Sequence, residues 1–199
     1  MITNEIFIDL IKFEVLCGQG TSQNDFRRLR AAAVLAYCAG LWLTEIAALR
    51  RRDWLPDGVA AMTIKGDSPH RARTVPASPA AIWAVRQLTG PTPASAPDGL
   101  IFGDGMSPKN GIQRALKRLG TKAAAASGAG DLRASFEERV MRAHRNDPLA
   151  FYLVGAAPAA DVSPLRSVPP LKKLDTMLRS SGVPYKDDDL WRAAPVRST

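Results

Sequence analysis

A single β-hairpin interrupts an otherwise helical sequence. Asp57-Gly58 marks a turn, residues 59–64 form a strand-like apolar run, and Gly66, Asp67, Ser68 and Pro69 make a loop. Residues 71–75 then alternate like a returning strand. Helical spacing holds on both sides. The fold class that follows is mainly α with a small antiparallel β-sheet, an α+β architecture whose sheet is built on residues 59–76.

The helical blocks have readable ends. Residues 4–16 place Ile6, Leu10 and Phe13 on one side, and residues 17–24 read as a loop. A long helix begins near Asp25, passes Arg27, Arg28 and Arg30, and continues through an apolar run to Cys38, with Gly40 as its stop. Thr44 has the chemistry of an N-cap for a short helix ending at Leu49. Residues 79–88 are helical, with Trp83 in the core, and a Pro-rich loop spans 89–99. Ser107 and Pro108 open a helix at N-cap and N1, and Gly120 closes it. Its apolar face carries Ile112, Leu116 and Leu119. Residues 123–130 are low-complexity and read as mobile. Asp131 caps a helix with apolar Leu132, Phe136, Val140 and Ala143, and Asp147-Pro148 breaks it before a short helix over 149–154. Residues 156–170, rich in Ala and Pro, read as a linker. Leu171, Leu174 and Leu178 mark a last amphipathic helix, ended by Gly182 and Pro184.

Charge points to an anionic partner. The 199 residues carry a formal net charge of +8, which favours nucleic acid first and an acidic protein surface second. The apolar stretches are too short to span a bilayer, and the first residues carry Glu5, Asp9, Lys12 and Glu14 rather than a signal-peptide pattern. A cytoplasmic location, no membrane and no cofactor are the expectation. Cys17 and Cys38 match no metal or redox spacing, so no metal site is expected, and Cys38 reads as a buried thiol.

Residues 40–53 read Gly-Leu-Trp-Leu-Thr-Glu-Ile-Ala-Ala-Leu-Arg-Arg-Arg-Asp. Further on come Ile64-Lys65-Gly66, then Arg73-Thr74-Val75-Pro76, then Leu100-Ile101-Phe102. The series resembles the catalytic domain of the tyrosine recombinases, or phage integrases, over roughly residues 25–180. The first stretch is similar to that family's Gly-Leu-Arg-x-x-Glu-x-x-x-Leu box, with Trp42 where the first catalytic arginine would stand. Lys65 matches the hairpin lysine that acts there as general acid toward the leaving oxygen. Asp131-Leu132-Arg133-Ala134-Ser135-Phe136 is similar to the second box; Arg133 matches its arginine, and Gly130 stands where its histidine would be. Leu153-Val154-Gly155-Ala156 resembles the third box, with Ala156 in place of histidine. The family's spacing puts the nucleophilic tyrosine near Leu165, and no tyrosine lies between Tyr152 and Tyr185.

The chemistry explains why these losses matter. A phosphodiester attacked by a phenolate accumulates negative charge on its non-bridging oxygens, and two guanidiniums neutralise it through forked hydrogen bonds. An indole offers one neutral donor. Losing one such donor commonly costs on the order of hundreds-fold in rate, and losing the nucleophile removes the covalent step. The remnants Lys65 and Arg133 are equally explained as phosphate contacts or plain surface charge. Tyr185 lies beyond the helix that follows the tyrosine in the family. Tyr152, Trp54 and Trp83 fit the core, and His70 and His144 fit surface positions.

The resemblance divides the chain into an N-terminal helix and loop (1–24), a recombinase-like core (25–166), a C-terminal helix (167–184) and a flexible tail (185–199). Too few residues precede the match for the family's separate DNA-clamp domain. Arg114, Lys117 and Arg118 form a face with no acid between Lys109 and Lys122, as a phosphate-tracking surface would. Arg71 and Arg73, on one side of a strand, extend it. The expected function is a catalytically inactive, recombinase-like protein that binds double-stranded DNA as a regulator or accessory factor of a mobile genetic element. The alternative is a protein-interaction module in which Leu171, Leu174 and Leu178 dock into a second copy or an active recombinase. A third reading is a residual strand-transfer enzyme.

Overall fold

The computed structural model describes residues 1–16, 22–55, 60–66, 72–89, 98–103, 107–158, 160–163, 165 and 167–184. The turn at Asp57-Gly58, Cys17, His70, Arg71, Tyr185 and the tail 185–199 lie outside the described residues.

The chain is mainly helical around one small sheet. In order come α1 (Asn4–Leu10), α2 (Phe13–Leu16), α3 (Gln23–Ala39), α4 (Leu43–Ala48), β1 (Trp54–Leu55), β2 (Ala61–Ile64), β3 (Arg73–Pro76) and α5 (Pro79–Thr89). Then follow α6 (Pro108–Arg118), α7 (Lys122–Ala125), α8 (Asp131–Ala143), α9 (Pro148–Val154) and α10 (Leu171–Ser180). The strands run β1-β2-β3, antiparallel throughout, with Trp54 opposite Met62 and Ile64 opposite Arg73.

Helix α3 is the centre of the molecule. Every residue from Leu29 to Ala39 is buried, because small alanines let α5, α6 and α8 pack around it. Ser22 caps it, its hydroxyl accepting the Asp25 N–H at 3.1 Å, so the helix starts earlier than the expected Asp25. Gly40 ends it at φ +67°, and a Cβ there would lie 2.3 Å from the Phe136 ring. The turn brings the Gly40 backbone directly against Phe136 of α8.

Several expected caps are displaced. The N-cap of α4 is Trp42, not Thr44: the Glu45 carboxylate accepts the Trp42 N–H at 2.8 Å, leaving Thr44 inside the first turn. Gly130, not Asp131, precedes α8, while Asp131 turns back to accept the Gly128 N–H at 2.8 Å. Residues 4–16 form two short helices that part at Ile11, where Lys12 reaches back to Asp9. The 123–130 stretch, expected to be mobile, holds α7 and is tied to α6. Gln113 donates to the Ser127 carbonyl and accepts the Ala129 N–H, and Ala124 and Ala129 are buried. Composition hides this, because the partner side chain lies on another helix.

The N-terminal segment joins the main core. Ile2, Phe7 and Leu10 are fully buried, and Phe7 stacks on Tyr37 with centroids 4.0 Å apart. The Ile2 N–H donates to the Ser135 hydroxyl, and the Tyr37 hydroxyl donates to the Ile2 carbonyl. Arg139 lies over the Tyr37 ring and also donates to its hydroxyl.

Helix α10 packs on its own chain. Leu174 and Leu178 are fully buried and Leu171 is half-buried, against β3, α8 and α9. The leucines of the expected partner-binding stripe thus pack against the core of their own chain. The outer edge of β3 is covered as well, since its Thr74 N–H donates to the Tyr152 hydroxyl at 2.9 Å. Among the described residues, no helix is long and apolar enough to cross a membrane.

Candidate functional site

The turn after α3, the start of α8 and the end of α9 meet at one point, which brings Trp42, Arg133 and the Val154 carbonyl together. At its base lies a buried ion pair. Arg73 on β3 donates from Nη1 to Glu45 Oε1 at 2.9 Å and from Nη2 to Glu45 Oε2 at 3.2 Å. Its side chain is 0% exposed and that of Glu45 6%. Arg73 Nη2 also donates to the Gly40 carbonyl at 3.3 Å. Gly155 lies against the same guanidinium, where a Cβ would be 2.6 Å from Nη1. Arg73 therefore locks α4, β3 and the end of α9 together. It does not belong to a phosphate-tracking surface, because its charge faces inward and both ends of its fork are taken. Arg71, its expected companion, lies outside the described residues.

Arg133 is buried as well, with its Nε unpartnered among the described residues and both terminal nitrogens engaged. Nη1 donates to Glu137 one turn along α8, and Nη2 donates to the Val154 carbonyl. The Trp42 ring covers its face, with the guanidinium carbon 4.0 Å from the ring centroid. Burial pulls the Arg133 guanidinium below its ordinary value, opposed by Glu137. The Trp42 indole, at the position the resemblance gives to a first arginine, thus does more than leave a donor out: it stacks on Arg133.

The remaining catalytic positions do not converge on Arg133. Lys65 is exposed and lies 3.8 Å from the Asp53 carboxylate. Gly130 is exposed, and a Cβ there would meet nothing within 4 Å. Ala156 and Leu165 are half-buried and bring no side chain capable of phosphoryl chemistry. Among the described residues, no group of three or more His, Cys, Asp or Glu could hold a metal.

Helix α6 carries the cations that face outward. Lys109, Arg114, Lys117 and Arg118 are all exposed, while Ile112, Ala115 and Leu116 are buried against α3. Lys109, Arg114 and Lys117 make no ion pair among the described residues. Arg118 is engaged: its Nη1 donates to the Val15 carbonyl at 3.1 Å and the Leu16 carbonyl at 3.2 Å. The arginine run before β1 is structural in part. Arg50 donates to the Asp98 carbonyl and Arg52 pairs with the Asp98 carboxylate, holding residues 98–101 beside the end of α4.

Two signals in the sequence pointed to parts of this arrangement without being used. Glu45 is the acid of the first box and needs a buried cation once that box is in the core. Glu137 stands four residues after Arg133, the spacing of a helical ion pair.

The described residues, mainly helical with one three-stranded antiparallel sheet, have a recombinase-like fold. The same fold occurs in the crystal structure of the XerH site-specific recombinase bound to its difH substrate in a pre-cleavage complex. The TM-score is 0.57 at 20% identity, over 78% of this chain and 47% of that one. The chain thus spans about half the length of that recombinase. No protein-family model and no curated protein sequence matches the chain.

Proposed function

We propose that this chain is a recombinase-like protein that binds duplex DNA without cutting it, and that it serves a mobile genetic element as a regulator or accessory factor. The observation that carries the reading is the state of Arg133. Arg133 is buried, stacked under Trp42 and bonded to Glu137 and the Val154 carbonyl, so its burial and these contacts, not an exhausted set of donors, keep it from a phosphate. Tryptophan, glycine, alanine and leucine, at the positions the resemblance gives to the first arginine, the two histidines and the tyrosine, offer no nucleophile, which supports a reading without strand cleavage. The outward cations are a different matter: Lys109, Arg114 and Lys117 line one solvent-facing side of a helix of 11 residues. From Lys109 to Lys117 these charges span about 12 Å along the helix, enough to meet more than one backbone phosphate. A protein that occupies a site without strand transfer acts by blocking it or by shaping it for another enzyme.

The test is binding to a labelled duplex over a salt series, beside a Lys109→Ala/Arg114→Ala/Lys117→Ala variant. If each cation meets one phosphate, the slope of log K against log salt is shallower in the variant by about 2 to 3. Absence of binding at low salt would overturn the proposal.

A further inference from the structure

Arg118 differs from the other cations of α6 in a way that bears on how the basic face works. It stands in the last turn of that helix, exposed, yet its Nη1 donates to both the Val15 and Leu16 carbonyls. Those oxygens belong to the end of α2, where carbonyls lack intrahelical partners and favour a cation. Nη1 carries two hydrogens, so these two bonds saturate it. Nε and Nη2 remain, and together they form one edge of the guanidinium fork, the edge that fits two oxygens of a phosphate. No other partner holds that edge among the described residues.

Resting on the DNA-binding reading above, we propose that Arg118 is the pre-oriented phosphate anchor of the basic face, with the end of α2 as the backbone support that aims it. Lys109, Arg114 and Lys117 must each give up rotamer freedom when they meet a phosphate, whereas Arg118 has been immobilised by folding. Its free edge binds without disturbing the two carbonyl bonds. The N-terminal segment therefore contributes to affinity although it presents no cation of its own to the duplex through this contact. By linkage, what α2 does for DNA, DNA does for α2: bound duplex holds Arg118 in place and so stabilises the turn that ends at Leu16.

The experiment uses the full chain, a labelled random-sequence duplex and two readouts. Arg118→Lys keeps the charge and loses the fork, so it should weaken binding by about fivefold to tenfold, whereas the like-charged exchange Lys117→Arg should change it by less than about twofold. Hydrogen exchange at the Val15 and Leu16 amides, which donate to the Lys12 carbonyl, should slow when duplex is added to the wild type and should not slow in Arg118→Ala. Circular dichroism melts establish that each variant is folded. An Arg118→Lys protein that binds within about twofold of the wild type overturns the proposal and leaves the DNA-binding reading intact. So does duplex-bound wild type with unchanged exchange at α2. A wild type that binds no duplex overturns both readings.

Discussion

Glu45→Ala should be among the most damaging single substitutions in the core. The Glu45 carboxylate holds both ends of the Arg73 fork and also accepts the Trp42 N–H that opens α4. With side-chain exposures of 0% and 6%, neither partner is screened by water, so the discount that applies to surface ion pairs does not apply here. Removing the acid takes both ion-pair bonds from a buried guanidinium that keeps the Gly40 carbonyl as an acceptor. Breaking a buried pair from one side costs about 3–5 kcal/mol, and loss of the cap bond adds about 1 kcal/mol. Against a typical stability of about 5–15 kcal/mol this is a large share. With a urea dependence of about 2 kcal/mol per molar, the unfolding midpoint should fall by about 2–3 M. The control is the double variant Glu45→Met/Arg73→Met, which removes both charges; it should recover most of the loss, because the cost lies in the uncompensated cation and not in the missing attraction. Urea titrations followed by circular dichroism read both. A Glu45→Ala protein within about 1 kcal/mol of the wild type would refute the reasoning, since it would mean that Arg73 reaches water or another anion.

Gly40→Ala should cost about 2–4 kcal/mol, from a left-handed residue and from a Cβ driven into the fully buried Phe136 ring; thermal melts measure it. Stability should also fall in alkali. Burial pushes the Cys38 thiol up to about 12 from 9.0, and it raises the Tyr37 hydroxyl against the opposing pull of Arg139. The unfolded chain therefore ionises first, so stability is level below about pH 9 and is lost as pH rises toward about 12. Urea midpoints at about pH 8 and about pH 10.5 should differ, and Cys38→Ala should shrink the difference while Tyr37 sustains part of it.

The helical blocks and the hairpin were legible because their signals are local. Periodicity, Gly40 and the Ser107-Pro108 start depend on residues close in sequence, and α3, β2, β3 and α6 lie within a few residues of where these place them. Caps at α4 and α8 went to neighbours because Glu45 and Asp131 satisfy the donors from inside or beside the helix instead of from the expected N-cap. The site was less legible, for a reason of principle. An arginine in a sequence is a charge of unknown address. Arg73, Arg114 and Arg133 look alike as letters, but one is locked under Glu45, one faces solvent and one is sealed by an indole. Only burial tells them apart, and burial depends on residues 28 to 91 positions away. Likewise, the leucine stripe of α10 marks a face that must be covered, without saying by which chain.

Trp42→Arg, the substitution that restores the family's first arginine, separates a missing residue from a missing site. If the pocket lacked only that arginine, replacing it would rebuild a phosphate clamp. The geometry argues otherwise. The new guanidinium would stand where a ring now stacks on Arg133, forfeiting a cation–π contact of about 0.5–2 kcal/mol and adding a like charge near Arg133, which already feels Arg73. Arg133 would stay bonded to Glu137 and the Val154 carbonyl, and Leu165 would still offer no nucleophile. The expected outcome is a protein destabilised by about 1–3 kcal/mol in urea titrations that forms no covalent adduct with a phosphorothiolate suicide duplex. A trapped adduct in this variant would show that another side chain can attack. The same adduct in the wild type would show that Arg133 is released from its three contacts when DNA arrives, and the reading of a non-cutting protein would fall.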